Sequence, residues 1–160
     1  MTDDKAERAI RMIENCSDAK KLRQFAANAR REGLEAVARA AERRLYEVLP
    51  KEKPGSFEHD VWRSIYALEG SLTSERGKTT RLGRTRPKIA QLGELETVKD
   101  LILRKKASEG FFMLIDRHMA ELTFEAVALR HPSKFDDPVL EVAAARLRSV
   151  GIETDRLQRN

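Results

Sequence analysis

The sequence predicts an all-α protein, a multi-helix bundle of about seven to eight helices. Two observations predict this fold class: apolar residues recur three and four positions apart along most of the chain, and no alternating strand pattern of useful length occurs. The 160 residues are 41% hydrophobic and 36% charged. This composition provides enough apolar side chains for a core and suits amphipathic helices with charged outer faces.

The first fifty residues are expected to form an N-terminal three-helix subdomain, 1–50. Residues suited to N-caps stand where the first two helices should begin, namely Asp3 or Asp4 for the first and Ser17 or Asp18 for the second. Gly33 suits the end of the second helix, and a third helix should start near Leu34. Because many inward positions are alanine, we expect a tight antiparallel pair with a shorter helix laid across it.

Segment 50–55 is the clearest break in the helical pattern. Two prolines and a glycine within these six residues cannot continue a helix. We therefore predict a boundary there, followed by a C-terminal helical domain, 56–160, that carries a basic segment at 76–93.

Cap residues also mark the helices of the second domain. Ser56 is expected to cap a long helix whose first turn is acidic, as the helix dipole favours. A helix from Leu95 to about Lys105 should turn four residues inward: Leu95, Val98, Leu101 and Ile102. Three further helices are predicted to start at caps, Ser108, Thr123 and Asp137, with Pro138 in the first turn of the last one.

Residues 76–93, which we call the basic segment, carry six positive charges and no acidic residue: Arg76, Lys78, Arg81, Arg84, Arg86 and Lys88. The whole chain has a net charge of +5, so the rest of the chain sums to −1. Positive charge concentrated in this way is typical of surfaces that bind polyanions, of which nucleic acid is the commonest. Arginine outnumbers lysine by 20 to 11, which favours phosphate recognition.

Two familiar motifs fit the basic segment poorly. Gly77-Lys78-Thr79 resembles the end of a P-loop, but Leu72 stands where that motif needs its first glycine, and a helix is predicted where it needs a strand. Residues 89–93 followed by 97–98 resemble a bacterial helix-turn-helix, but two spacings are one residue short. The recognition helix would also carry acidic residues that oppose a phosphate backbone: Glu94, Glu96 and Asp100.

The interpretation that fits best is a basic loop that leads into a short helix and contacts phosphates directly. If residues 81–88 are helical, Arg81, Arg84 and Lys88 share one face, and Pro87 kinks or starts the helix. Threonine hydroxyls nearby suit phosphate oxygens. The predicted nucleic-acid-binding residues are Arg76, Lys78, Thr79, Thr80, Arg81, Arg84, Thr85, Arg86 and Lys88. The alternative is a solvated loop whose charges pair with acidic residues elsewhere in the chain.

The sequence predicts no catalytic residue and no metal site. Glu58-His59-Asp60 offers suitable ligand types, but successive helical residues point about 100° apart and cannot close on one ion. His118 and His131 stand near predicted helix ends, without a partner for nucleophilic catalysis. The chain has a single cysteine and therefore no intramolecular disulfide, which fits a reducing cytoplasm.

The aromatic residues are predicted mainly as core residues. Trp62 and Tyr66 lie one turn apart, and the competing interpretation is a base-stacking platform beside the basic segment. Phe111 and Phe112 are also expected in the core, and exposure of Phe112 would indicate a protein interface.

The function predicted from the sequence is a small, non-catalytic nucleic-acid-binding protein of bacterial type that favours DNA over RNA and needs no cofactor. The alternative is a helical protein-interaction or adaptor module, with a protein partner or a homo-oligomer. A third hypothesis, an enzyme built on scattered acids such as Glu58, Asp60 and Glu69, finds no support in their spacing. The acidic start of the chain and the lack of ~18 consecutive apolar residues predict a cytoplasmic protein without a signal peptide or membrane span.

Overall fold

The structure, a computed structural model, describes residues 2–157, and over that range it confirms an all-α fold with eight α-helices and no strand. The helices are α1 (Thr2–Glu14), α2 (Ala19–Arg31), α3 (Glu35–Val48), α4 (Phe57–Arg76), α5 (Thr85–Leu103), α6 (Glu109–Asp116), α7 (Phe124–Arg130) and α8 (Asp137–Ser149). Short 3₁₀ turns span Ala120–Leu122, Pro132–Lys134 and Thr154–Arg156. None of the helices described is long and apolar enough to cross a membrane.

The chain divides into two compact units, Met1–Lys51 and Glu52–Asn160. The division falls inside segment 50–55, which is not helical. Proline there removes a backbone donor and fixes φ, so α3 cannot continue into α4. The ends of the predicted ranges 1–50 and 56–160, namely Met1 and residues 158–160, lie outside the described residues.

The first unit consists of α1, α2 and α3. Helices α2 and α3 form its most extensive contact, and α1 packs against α3. Alanine side chains supply much of the buried surface and let the helix backbones approach closely. Because α1 and α2 both contain 13 residues, the predicted shorter crossing helix is not observed. The buried apolar residues include Ile13, Leu22, Ala26, Ala29, Val37, Ala38, Ala41 and Leu45.

One predicted cap of the first unit is confirmed and another is wrong. Asp18 accepts hydrogen bonds from the backbone N–H groups of Lys20 and Lys21, at 3.0 and 3.3 Å, and so caps α2. Helix α1 begins at Thr2, so Asp4 lies within its first turn and pairs with Arg8 at 3.4 Å. An acid in the first turn still complements the helix dipole, although it no longer caps the helix. The other predicted cap, Asp3, lies outside the described side chains.

The second unit is organised around α7, which packs against α4, α5 and α8. This short helix is buried on nearly all sides, because residues 125–129 all lie inside the unit. A helix that is buried in this way, including the acid Glu125, requires neighbours on every side. The surrounding core is formed by Phe57, Val61, Ile65, Val98, Ile102, Phe111, Val139, Ala143 and Leu147.

Three predicted caps of the second unit are confirmed. Ser56 Oγ accepts from the N–H of His59, Ser108 Oγ from the N–H of Phe111, and Thr123 Oγ1 from the N–H of Ala126. At α8 the N-cap is Asp136, so Asp137 is the first helical residue and not the cap as predicted. Each confirmed bond satisfies a backbone donor that the first helical turn leaves unpaired.

Helix α5 is broken at Gly93, where φ is +86° and ψ is +169°. This backbone conformation is accessible almost exclusively to glycine. The break changes the direction in which the following residues point. Val98 and Ile102 are buried as predicted, but Leu95 is exposed, which contradicts its predicted inward orientation.

Candidate functional site

The basic segment consists of an exposed loop followed by the first turns of α5. We call residues 76–84, which are the last residue of α4 and the loop that follows it, the basic loop. Helix α5 begins only at Thr85, so residues 81–88 are not one helix, and Arg81 and Arg84 do not share a helical face with Lys88. The backbone N–H groups of Thr80 and Leu82 are instead bonded to side chains of α4. Pro87 lies in the first turn of α5, where its missing N–H has no consequence.

The basic loop is attached to one stripe of α4, formed by Trp62, Tyr66, Glu69 and Thr73. Their spacing of four, three and four residues places them on one face of the helix. Thr73 Oγ1 accepts a hydrogen bond from the N–H of Thr80 at 2.9 Å. Glu69 Oε2 accepts one from the N–H of Leu82, also at 2.9 Å. We call these four residues the anchoring stripe.

Glu69 also holds Arg86. The guanidinium donates from Nε to Oε2 at 2.6 Å and from Nη2 to Oε1 at 2.7 Å, which is the bidentate geometry that guanidinium and carboxylate groups prefer. The Glu69 side chain is only 9% exposed and that of Arg86 is 24% exposed. The hydrogen bonds that Arg86 donates to Glu69 hold the pKa of the guanidinium above its usual range. Arg86 is therefore a fixed part of the fold.

Two aromatic rings complete the surroundings of Arg86. Its guanidinium carbon lies 5.1 Å from the ring centroid of Trp62 and 5.5 Å from that of Tyr66, within cation–π range. The indole N–H of Trp62 donates to Glu94 at 3.2 Å. Trp62 packs against the core, and both rings are half-buried. The pair thus supports Arg86 and does not present an open platform on that face.

Lys88 is likewise used within the fold. Its ammonium donates to Asp100, a carboxylate that also lies 3.6 Å from Arg104. The hydrogen bond from Lys88 lowers the pKa of the Asp100 carboxyl. Of the six positive charges predicted to contact phosphate, two are therefore paired with acids of the same unit.

The other four cations, Arg76, Lys78, Arg81 and Arg84, all lie in the basic loop and are exposed. Within residues 2–157, no carboxylate forms an ion pair with any of them. The carboxylate that precedes the loop, Glu75, pairs with Arg117 at 3.7 Å. The loop therefore carries four positive charges without a neutralising partner in the described part of the chain.

The predicted threonine donors occupy three different settings. Thr79 is exposed at the surface of the basic loop. The Thr80 hydroxyl donates to the backbone carbonyl of Lys78 at 2.9 Å, so its proton is already used. Thr85 is half-buried as the first residue of α5. Thr79 is the threonine best placed to donate to an external phosphate.

The break at Gly93 divides α5 into two helical parts, which partly matches the helix-turn-helix that the sequence resembles. The helical residues after the break would occupy the recognition position, and they present exposed Glu96 and Asp100. Glu94 is bonded to Trp62. Glu96 on this face would repel a phosphate backbone, whereas the charge of Asp100 is offset by Lys88 and Arg104.

A second ionic cluster, which the sequence did not reveal, joins α4 to α7. Asp60 accepts two bonds from Arg130, both 2.9 Å long, and one from Arg63, also 2.9 Å, while His131 Nε2 lies 3.0 Å away. Burial alone would raise the pKa of the Asp60 carboxyl, but the bonds and charge of Arg130, with the charge of Arg63, lower it below its usual range. Asp60 and Arg130 are 70 residues apart, so no local pattern indicates the pair.

Two of the three acids considered for catalysis form ion pairs within the fold. Asp60 and Glu69 are the centres of the two ion-pair clusters, and Glu58 is exposed in the first turn of α4. No group of three His, Cys, Asp or Glu side chains in residues 2–157 is arranged to hold a metal ion. One further acid, Glu125, is buried, and this burial raises its pKa to about 7 although Arg146 lies 3.9 Å away.

Comparisons of the chain with models of known protein families, with curated proteins and with solved structures found no match.

Proposed function

We propose that this protein binds nucleic acid without catalysis, with duplex DNA as the expected ligand and RNA as a weaker one, through phosphate contacts of the basic loop. The observation that carries the proposal is the set of four exposed cations, Arg76, Lys78, Arg81 and Arg84, without an ion-pair partner in residues 2–157. Uncompensated positive charge at a surface attracts a polyanion and releases its counterions on binding.

The attachment of the loop supports the same proposal. Thr73 and Glu69 hold the backbone at Thr80 and Leu82, and Gly77, with φ of +71°, ends α4 and turns the chain into the loop. A loop whose backbone is already held in place loses less conformational entropy when it binds. The anchoring stripe thus favours binding although it does not itself face the ligand.

The ion pairs of Arg86 and Lys88 reduce the number of expected phosphate contacts from six to four. On duplex DNA the logarithm of the binding constant falls with the logarithm of the salt concentration at roughly −0.9 per neutralised phosphate. Four contacts therefore give an expected slope of about −3.6. Six contacts would give a steeper slope, about −5.4.

The positions of Trp62 and Tyr66 favour a duplex over a single strand as the ligand. Binders of single strands stack bases on exposed aromatic faces. Here the guanidinium of Arg86 covers one face of the Trp62 and Tyr66 rings. The proposal is therefore that the loop recognises the phosphates of a duplex, with no stacking contribution and little dependence on sequence.

The test is a fluorescence-anisotropy titration of labelled duplex DNA, single-stranded DNA and RNA over a series of salt concentrations. The test variant replaces Arg76, Lys78, Arg81 and Arg84 by alanine, and we expect it to abolish the salt-dependent binding. The matched control replaces four exposed lysines outside the loop by alanine and changes the net charge equally: Lys20, Lys21, Lys51 and Lys53. The control variant should keep most of the wild-type affinity.

Two results would contradict the proposal: no binding of any of the three ligands at low salt, or equal losses in the test and control variants. A slope near that for six contacts would show that Arg86 and Lys88 leave their acidic partners when the ligand binds.

A second candidate function, an interaction module for an acidic protein surface, is favoured by a separate observation. Phe112 is 48% exposed, so its predicted core position is wrong, and an exposed phenylalanine is typical of a protein interface. Purification from cells separates the two candidates. Copurified nucleic acid raises absorbance at 260 nm, whereas a protein partner appears as a second band that Phe112→Ser removes.

A further inference from the structure

A cavity of about 500 Å³ lies in the first unit, where α1 ends and α2 begins. This volume falls within the range of roughly 300–1,000 Å³ that sites for small molecules occupy. Its walls come from the end of α1, from the link to α2 and from two residues one turn apart on α2. The lining residues are Arg11, Met12, Asn15, Cys16, Lys21 and Phe25.

The link between α1 and α2 is held in place by hydrogen bonds. Arg44 of α3 donates from Nε to the backbone carbonyl of Cys16 at 2.9 Å. The Asn15 side chain donates to the carbonyl of Arg11, also at 2.9 Å, and Asp18 accepts from the first N–H groups of α2. Walls that are already fixed lose less conformational entropy when a ligand binds.

The charged residues of the lining are both positive. Arg11 and Lys21 are exposed, and none of the carboxylates that the structure describes forms an ion pair with either side chain. Glu7 and Glu14, one turn before and after Arg11, do not line the cavity, and Asp18 is used as the cap of α2. A lining with two cations and no acid attracts an anion.

Two cavities of the second unit have a different charge. Each of them combines Arg148 with two acids. The acids are Glu153 and Asp155 in one cavity, and Asp137 and Glu141 in the other. An anion is therefore favoured in the cavity of the first unit and not in these two.

The cavity of the first unit also offers apolar surface. Met12 is 62% exposed, and Phe25 is half-buried between the buried residues Leu22 and Ala26. A thioether adapts to the shape of a ligand, and an aromatic ring provides a broad apolar contact. A purely ionic ligand would leave both side chains uncovered. The lining therefore suits a molecule that combines an anionic group with an apolar body.

We infer that this cavity binds a small carboxylate with an apolar body, of the class of the medium-chain fatty acids. The carboxylate pairs with Lys21 and with the guanidinium of Arg11, whose forked donors match its two oxygens. The apolar body lies against Met12 and Phe25. Four of the six lining residues are exposed, so the ligand is only partly enclosed and binds reversibly. The inference does not depend on the proposed nucleic-acid binding.

The test is an NMR titration of the full chain with octanoate, followed through the backbone amide shifts. Octanoate should give saturable shifts at the lining residues. Acetate, which lacks the apolar body, and octylammonium, which carries the opposite charge, should not. Equal responses to octanoate and to either of the other two ligands would overturn the inference, and so would the lack of saturation at millimolar octanoate.

Paired variants test the role of the two cations. Arg11→Ala with Lys21→Ala should weaken octanoate binding about tenfold or more, since charge-assisted hydrogen bonds are lost. Arg23→Ala with Lys20→Ala removes the same charges at exposed positions of α2 outside the lining and is the matched control. Its affinity should stay within about twofold of wild type. Equal losses in the two pairs would show that only the overall charge matters and would overturn the site.

Cys16 reports on the location of the ligand, because it is a lining residue and the chain has no other cysteine. Octanoate should slow the alkylation of Cys16 by iodoacetamide, and acetate should not. Protection by phosphatidylglycerol vesicles without protection by octanoate would overturn the inference in favour of a membrane surface. The variant without the four cations of the basic loop should still bind octanoate, so failure of nucleic-acid binding and failure of this inference are distinguishable.

Discussion

Glu125 is a buried acid whose protonation is shifted by folding. It lies in α7, is buried on all sides, and has a distant ion pair with Arg146 at 3.9 Å. Burial raises its pKa from the ordinary value of 4.5 to about 7, and the charge of Arg146 only partly opposes this. The stability associated with the protonated acid is fully present below about pH 4.5 and is lost as pH rises through about 7.

Glu125→Gln is therefore expected to stabilise the protein at pH 8 and to have little effect at pH 4.5. The gain at pH 8 should reach up to about 3 kcal/mol, because one pKa unit corresponds to about 1.4 kcal/mol. Urea denaturation across this pH range measures it. Glu141→Gln, at an exposed position of α8, is the control and should change stability equally little at both pH values. Equal destabilisation by Glu125→Gln at both pH values would show that Glu125 is charged and stabilising.

The element that determines the shape of the candidate site is α4. Its anchoring stripe supplies the acceptors for Thr80 and Leu82, the carboxylate for Arg86 and the rings beneath that guanidinium. The neighbouring unpaired cations are thus held by contacts of α4 rather than by contacts of their own side chains.

Glu69→Ala should loosen the basic loop and destabilise the protein. It removes three hydrogen bonds and leaves Arg86 half-buried without its acid, at an expected cost of about 3 kcal/mol. Denaturation measures the cost, and trypsin should cleave within the loop faster in this variant. Glu75→Ala, in the same helix with an exposed ion pair to Arg117, should cost under about 0.5 kcal/mol and leave cleavage unchanged. Similar effects of the two variants would refute the role of Glu69.

Most helix caps could be predicted from the sequence, but the break within α5 could not. Asp18, Ser56, Ser108 and Thr123 were predictable because each bonds a backbone N–H two or three residues away. The exposure of Leu95 could not be predicted. Its expected inward orientation assumed one continuous helix, and the backbone conformation of Gly93 breaks that helix.

At the largest scale, the Asp60 cluster contributes to the response of the second unit to acid. It connects α4 with α7, the central helix of the second unit. Because the pKa of Asp60 is lowered in the folded state, its stabilising contribution is present above the ordinary value of 3.8 and is lost as pH falls through the folded pKa. Asp60 thus limits stability below about pH 4, whereas Glu125 limits it toward pH 7.

Asp60→Asn should destabilise the protein by about 3 kcal/mol at neutral pH, because the buried guanidinium of Arg130 and the half-buried one of Arg63 lose their carboxylate. It should also flatten the decline in stability below about pH 4. Thermal unfolding monitored by circular dichroism measures both effects, and Asp116→Asn, at an exposed site, is the control. If stability declines as steeply below about pH 4 in Asp60→Asn as in wild type, other carboxyl groups cause the acid sensitivity.

The sequence by itself determined the helical class, most helix starts, the break at 50–55 and the local concentration of positive charge. These features depend on a residue and its near neighbours, through periodicity, capping and the restricted backbone of proline. Only the tertiary structure decided which cations remain unpaired. Arg86 meets Glu69 across 17 residues and Lys88 meets Asp100 across 12, so packing alone separates these two from the four exposed cations of the basic loop. An ion pair requires two side chains to meet in space, and residues distant in the chain meet only once their elements have packed.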